Sequence, residues 1–252
     1  MIKPNSAFFG SMQVRKNAKR IMCERGNLLR LIGASFILIA VSDVLIYLFE
    51  AVCYFFFDKM PTPLFAAELL VLFFVISPLM AAIARMAFRM CLHETTDISD
   101  IMYYFKRERM RDTYFLSLFV LGELLLQFGF SFAFGRLFAY AFEGIHSDLF
   151  SPMTMALTFF FMPILSGLFP KTLTVPNAFF RTEKLGEAFS LPAGDSRGQA
   201  KEVMLFNISF VPLLLLSLLT LGILFFVYLL PLYMISAQLF ASHLAETNIK
   251  NM

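Results

Sequence analysis

The sequence predicts an all-α fold: a polytopic membrane helix bundle of six transmembrane helices, with both termini cytoplasmic and short basic helices at the inner interface. Three observations predict it. The 252-residue chain is 59% hydrophobic and only 15% charged, where a soluble domain carries roughly a quarter charged residues. The apolar residues are gathered into long runs, the signature of a membrane protein rather than of a large soluble core. The basic residues cluster between alternate runs only. Residues 1–252 therefore read as a single integral membrane domain.

Crossing the hydrocarbon as a helix takes roughly 20 apolar residues. Helices are favoured because backbone groups in lipid must satisfy one another. The runs at about 28–57, 63–90, 113–142 and 152–179 each suffice. The stretch 202–245 would exceed roughly 60 Å as one helix, about twice the hydrocarbon thickness, so it has to fold back. Thr220-Leu221-Gly222 supplies the turn, since glycine takes the left-handed conformation that ends a helix. Spans at about 202–220 and 223–245 result. Pro163, Pro170 and Pro231 predict kinks or ends where they fall.

Charge gives the orientation. The N-terminal segment holds Lys3, Arg15, Lys16, Lys19, Arg20 and Arg25. The next basic side holds Arg85, Arg89, Lys106, Arg107, Arg109 and Arg111, and the third holds Lys171, Arg181, Lys184, Arg197 and Lys201. The alternate loops carry only Lys59. The positive-inside rule then places both termini in the cytoplasm. Arg136, near the outer end of the third span, fits if its stem snorkels to the outer interface. The first apolar run is too long for a signal-peptide core and reads as a retained anchor.

Two basic pieces, 14–25 and 97–111, read as interfacial helices. The first ends at Gly26; Thr96 or Asp97 caps the second, whose apolar stripe is Ile98, Ile101, Met102 and Phe105. Arg15, Lys16, Lys19, Arg20, Lys106, Arg107, Arg109 and Arg111 are expected to meet anionic headgroups or dock a cytoplasmic partner. Nucleic acid is not an expected partner, because these groups are tied to the membrane ends. The loop LGEAFSLPAGDSRGQAKE is a flexible connection, and no GxxxxGK[ST] phosphate loop occurs.

Several polar groups interrupt the apolar runs. Asp43 and Glu50 share one helical face with Tyr47 between them, and Glu123, Gln127 and Ser131 repeat every fourth residue. A charge at the bilayer centre costs a few kcal/mol, so such groups should face other helices or water. Glu50, Glu68 and Arg136 lie toward the outer ends, where Arg136 is expected to pair with Glu50 or Glu68. Asp43 and Glu123 lie deeper with no base at matching depth. Two nearby carboxylates there would have raised pKa values and could share a proton, which makes Asp43, Glu123 and Gln127 candidates for an ion or substrate pathway. The competing reading is structural: each acid protonated and hydrogen-bonded to a neighbouring helix.

Signatures of catalysis and cofactors are sparse. His93, His146 and His243 fall on different pieces without H-E-x-x-H spacing. No G-x-S-x-G elbow is present, and Cys23, Cys53 and Cys91 form no CxxC pair. The expectation is a protein with no catalytic residue, no metal and no cofactor.

The segment LLSLLTLGILFFVYLLPLYMISAQLF carries a Thr-x-Gly turn, a proline-tyrosine helix start and a small-residue and aromatic ending. Through Thr220, Gly222, Pro231, Tyr233, Ala237 and Phe240 it resembles the C-terminal signature of a Gram-positive family of polytopic membrane proteins, that of the domain of unknown function nine-seven-five. Glu187-Ala188, Gly198, Phe206, Ser209-Phe210, Ala18, Asn27 and the segment IMYYF are similar to other parts of that family's pattern. Leucine between Pro231 and Tyr233, and the absence of tryptophan, depart from it. The resemblance implies a polytopic bundle with no established activity. The functional expectation is a non-enzymatic component of transport or of envelope and lipid homeostasis. Its rivals are a permease subunit for a separate ATPase and an intramembrane enzyme acting on lipid or peptide. Membrane lipids, a cytoplasmic ATPase or another membrane subunit are the partners these readings imply.

Overall fold

A computed structural model describes residues 7–24, 26–57, 62–143, 151–190, 196–220 and 223–250. Lys3, Arg25, Lys59, His146 and the expected turn at Leu221-Gly222 lie outside the described residues. Within the described residues all regular structure is helical. Five helices are long and apolar enough to cross a membrane, or up to six if one bent pair is a single span. They coincide with the six apolar runs of the sequence.

α1 (Ala7–Cys23) and α2 (Asn27–Phe57) are joined through Gly26, whose φ of +72° lets the chain leave one helix and enter the next. Asn27 donates its side-chain amide to the Ile21 carbonyl at 2.8 Å, satisfying the end of α1. α1 is amphipathic and docked on the bundle: Ala18, Ile21 and Met22 are buried, while Lys16, Lys19 and Arg20 are exposed on the opposite side. It packs mainly on the last long helix.

α3 (Thr62–Cys91) ends at His93, which has a positive φ. The expected helix 97–111 is divided. A 3-10 turn, Ile98–Phe105, is capped by Asp97, whose carboxylate accepts from the Ile98 amide at 2.7 Å, while the Asp97 amide donates to Asp100 at 3.1 Å. A 3-10 turn brings residues three apart onto one side: Ile101 and Tyr104 of that side are buried, Ile98 at its start is exposed, and Met102 of the expected stripe is exposed off it. The chain extends at Lys106, and the basic residues that follow open α4 (Arg107–Glu143). They extend the third long helix toward its N-terminus because Arg, Glu and Met are good helix formers.

α4 makes the most extensive helix pair of the fold with α5 (Pro152–Leu165). The reason is size. Gln127, Ser131, Gly135 and Ala139 follow one another at every fourth position on α4 and are buried, against buried Thr154 and Thr158 of α5. A Cβ on Gly135 would sit 2.8 Å from the Thr158 amide nitrogen. Small side chains let the backbones approach this closely.

The second half of the chain is broken repeatedly. α5 leads through a 3-10 turn, Ser166–Leu168, to α6 (Lys171–Thr182), with a bend of 57°. The short α7 (Leu185–Ser190) follows, then α8 (Ser196–Ile208), a turn at Ser209-Phe210, and α9 (Val211–Leu219). A π-helical segment, Phe225–Leu229, enters α10 (Leu230–Lys250). Pro231 explains it: the ring offers no N–H and crowds the carbonyl four residues back, so the turn before it widens. The window of greatest hydropathy is 56% buried for the π segment and α10, but 17% for α2 and for α4. α10 is therefore the central helix, and α2 and α4 are peripheral.

Candidate functional site

Three interruptions meet at one point. Pro163 lies inside α5, and the chain tightens to 3-10 geometry directly after Leu165. There the Ser166 hydroxyl donates to the Pro163 carbonyl at 2.6 Å. Asn207, just before the α8–α9 break, donates its amide to Ser166 Oγ at 2.9 Å. Tyr233, one turn into α10, donates its hydroxyl to Asn207 Oδ1 at 3.1 Å. The resulting chain Tyr233–Asn207–Ser166 joins α10, α8 and α5 through uncharged groups.

Aromatic packing fixes this arrangement. Phe206 stacks on Phe240 at 4.4 Å between centroids, and Tyr233 lies edge-on to Phe210 at 5.2 Å. Gly167 admits α8: a Cβ there would be 2.4 Å from the Ala200 carbonyl oxygen. Arg15 of α1 reaches the same break, donating to the Ser209 carbonyl at 2.7 Å with its guanidinium over the Phe210 ring. Higher on α10, Asn177 of α6 donates to Gln238 Oε1 at 2.9 Å and to Ser242 Oγ at 3.4 Å. The node is built from uncharged hydrogen-bond donors and acceptors that satisfy one another. The partners of Ser166 Oγ are an amide and a carbonyl, neither of which is a base able to take its proton.

A second cluster is ionic. Glu183 closes α6 in the left-handed conformation, with φ of +55°. Its carboxylate receives Arg85 at 2.9 Å, Arg109 at 3.3 Å and the Tyr103 hydroxyl. Both guanidiniums lie against the Tyr103 ring, at 3.5 and 3.9 Å from its centroid. Four elements are clamped here: α3, the 3-10 turn, α4 and α6. Neighbouring Tyr104 is buried, and its hydroxyl has no hydrogen-bond partner among the described residues. Burial pushes its phenol pKa up; Arg85 opposes that shift and Glu183 adds to it. On the exposed side, Glu187 raises Lys184 by hydrogen bonding at 2.9 Å.

The residues singled out from sequence are dispersed. Gln127 donates to the Met162 carbonyl at 2.7 Å, and Ser131 to the Gln127 carbonyl at 2.8 Å, both within the α4–α5 seam. Glu123 lies one turn earlier on α4, half-buried. Asp43 lies exposed on α2, whose main partner is α3, while the helix of Glu123 pairs chiefly with α5. Asp43, Tyr47 and Glu50 are all exposed along α2. Glu68 is buried in α3, Glu50 is exposed on α2, and Arg136 is half-buried on α4.

The basic set divides as well. Arg15 and Arg109 are engaged inside the fold, Arg111 meets Asp112 at 3.3 Å, and Arg20 lies 3.8 Å from Glu24. Lys16, Lys19 and Lys106 are exposed, and Arg107 opens α4. Among the described residues no three His, Cys, Asp or Glu side chains gather where a metal could sit. Sequence reading missed Asn207, Ser166, Asn177 and Glu183. Pro163 and the small residue three positions after it were the available signal for Ser166.

By fold the chain belongs to the class of all-helical proteins whose helices are long and apolar enough to cross a membrane several times. Comparison with protein-family models, curated proteins and solved structures finds no match in any of the three.

Proposed function

We propose that this chain is a multi-pass protein of a bacterial plasma membrane that crosses the bilayer six times and keeps both termini in the cytoplasm. In this reading it belongs with the family its C-terminal residues resemble. It works without catalysis as a component of transport or of envelope and lipid homeostasis, handling a lipid or hydrophobic solute between its helices. Orientation follows from the basic residues, which gather at one end of alternate helices.

One observation carries the functional part. The uncharged chain Tyr233–Asn207–Ser166 sits where α5, α8 and α10 are each interrupted. Regular helices in a bilayer hide their backbone polar groups, and interrupted ones expose them only where protein or a cavity receives them. Discontinuous helices are how transporters build sites within the membrane. A lipid headgroup passing between apolar helices would exchange hydrogen bonds with amides and hydroxyls at little cost, whereas fixed charges would hold it.

Two measurements test the reading. Reporter fusions should place both termini in the cytoplasm and residue 146 outside; any other pattern ends the topological proposal. Proteoliposomes containing a fluorescent phosphatidylethanolamine should expose it to dithionite faster than protein-free vesicles, and Asn207→Ala should slow that exposure. Identical rates with and without protein would rule out lipid handling.

A further inference from the structure

Along α2 the residues Phe36, Ala40, Asp43, Tyr47, Glu50 and Tyr54 follow one another at spacings of four and three, the repeat of a helix–helix seam. All six are exposed, with Phe36 at 55% and Tyr47 and Tyr54 each at 72%. The opposite side of α2 is already used: Leu38 and Val41 pack on the buried core. In a bilayer this seam would place two carboxylates against hydrocarbon, a position such groups avoid unless another helix receives them.

The seam's chemistry selects its occupant. Acceptor and donor alternate along it: Asp43, Tyr47, Glu50, Tyr54. In a parallel pair of helices each seam residue enters a space bounded by the partner's seam residues before and after it. Tyr47 of one copy would therefore lie between Asp43 and Glu50 of the other, with its hydroxyl available to either. A two-fold axis repeats the bond in reverse, so the face is complementary to itself. A foreign helix would need donors placed at both depths; a second copy already has them.

We propose that two copies of this chain associate through α2, with each Tyr47 donating to a carboxylate of the other copy. The inference rests on the reading of α2 as a membrane span. Single cysteines are placed in a variant lacking Cys23, Cys53 and Cys91, at Ala40→Cys and Tyr54→Cys on the seam and at Leu38→Cys and Val41→Cys behind it. Oxidation in native membranes is expected to shift most of the chain to the dimer mass for the two seam positions and to leave the other two monomeric.

No dimer at either seam position, cross-linking without this periodicity, or cross-links only to species of another mass would overturn the proposal. A membrane-impermeant maleimide separates the two readings. If it labels Ala40→Cys, α2 is not in the bilayer and the span itself is wrong. With the native cysteines retained, resonance energy transfer between chains bearing donor and acceptor fluorescent proteins should fall to the level of an unrelated membrane protein for Asp43→Leu combined with Tyr47→Phe. Unchanged transfer would equally overturn the proposal.

Discussion

Gln127 of α4 donates its side-chain amide to the Met162 carbonyl of α5 at 2.7 Å, across the most extensive helix pair among the described residues. The same carbonyl also accepts the Ser166 backbone N–H at the end of α5, so Gln127 adds a second donor to it and joins the two helices. Replacing Gln127 with Leu removes that partner. The expected loss is about 0.5–1.5 kcal/mol, the net worth of one hydrogen bond, read as a lower thermal midpoint in detergent. An unchanged midpoint would mean that the carbonyl finds equal satisfaction within α5.

Gly135 tests the same seam by size. A methyl group there meets the α5 backbone at Thr158 N and Thr154 O, at 2.8 and 3.0 Å, and neither can rotate away. Gly135→Ala is expected to destabilise by about 1–3 kcal/mol. Gly122→Ala on the same helix, where nothing lies within 4 Å, is the control and should retain the parent midpoint.

The node Tyr233–Asn207–Ser166 should behave as a unit. Tyr233→Phe removes one hydrogen bond, worth about 1 kcal/mol. Asn207→Ala also leaves the Tyr233 hydroxyl without its acceptor and should cost more. The double variant is expected to be less destabilised than the sum of the two, by about 0.5 kcal/mol or more. Additive losses would show that the bond does not form.

Glu183 holds two arginines that both lie on the Tyr103 ring. Glu183→Gln leaves them facing one another without an anion. The groups are partly exposed, so the expected cost is about 1–3 kcal/mol rather than that of a fully buried pair. Limited proteolysis between α6 and α8 should accelerate in this variant and not in Lys184→Ala.

Tyr104 predicts an alkaline effect. Its folded pKa is raised, so the native state keeps the proton while the unfolded chain releases it near about 10. Its contribution is complete below that pH and is lost as pH rises above it. Tyr104→Phe should flatten part of this alkaline decline. At neutral pH it should leave stability unchanged or raised, because the buried hydroxyl has no partner to lose. A decline of equal steepness in the variant would assign the effect to other tyrosines.

Much of the architecture was legible because hydrocarbon-length runs and proline positions act locally. Six apolar runs correspond to the candidate spans, and the breaks near Pro163, Pro170 and Pro231 fall where a missing N–H demands them. The candidate site was not legible in that way. Asp43 and Glu123 look like a pair by depth, yet depth along an axis says nothing about which helices pack together: α2 packs chiefly on α3, and α4 on α5. Arg15 and Arg109 read as headgroup ligands until the fold turns each onto a specific acceptor, the Ser209 carbonyl and the Glu183 carboxylate.

The sequence by itself determined where helices run, where they must break and which ends collect positive charge, because each follows from the solvation of consecutive residues. Only the tertiary structure decided that Ser166, Asn207 and Tyr233 meet, and that Arg85, Arg109 and Tyr103 share Glu183. Those partners lie far apart in the chain, and their contact depends on how small residues such as Gly135 and Gly167 let whole helices approach.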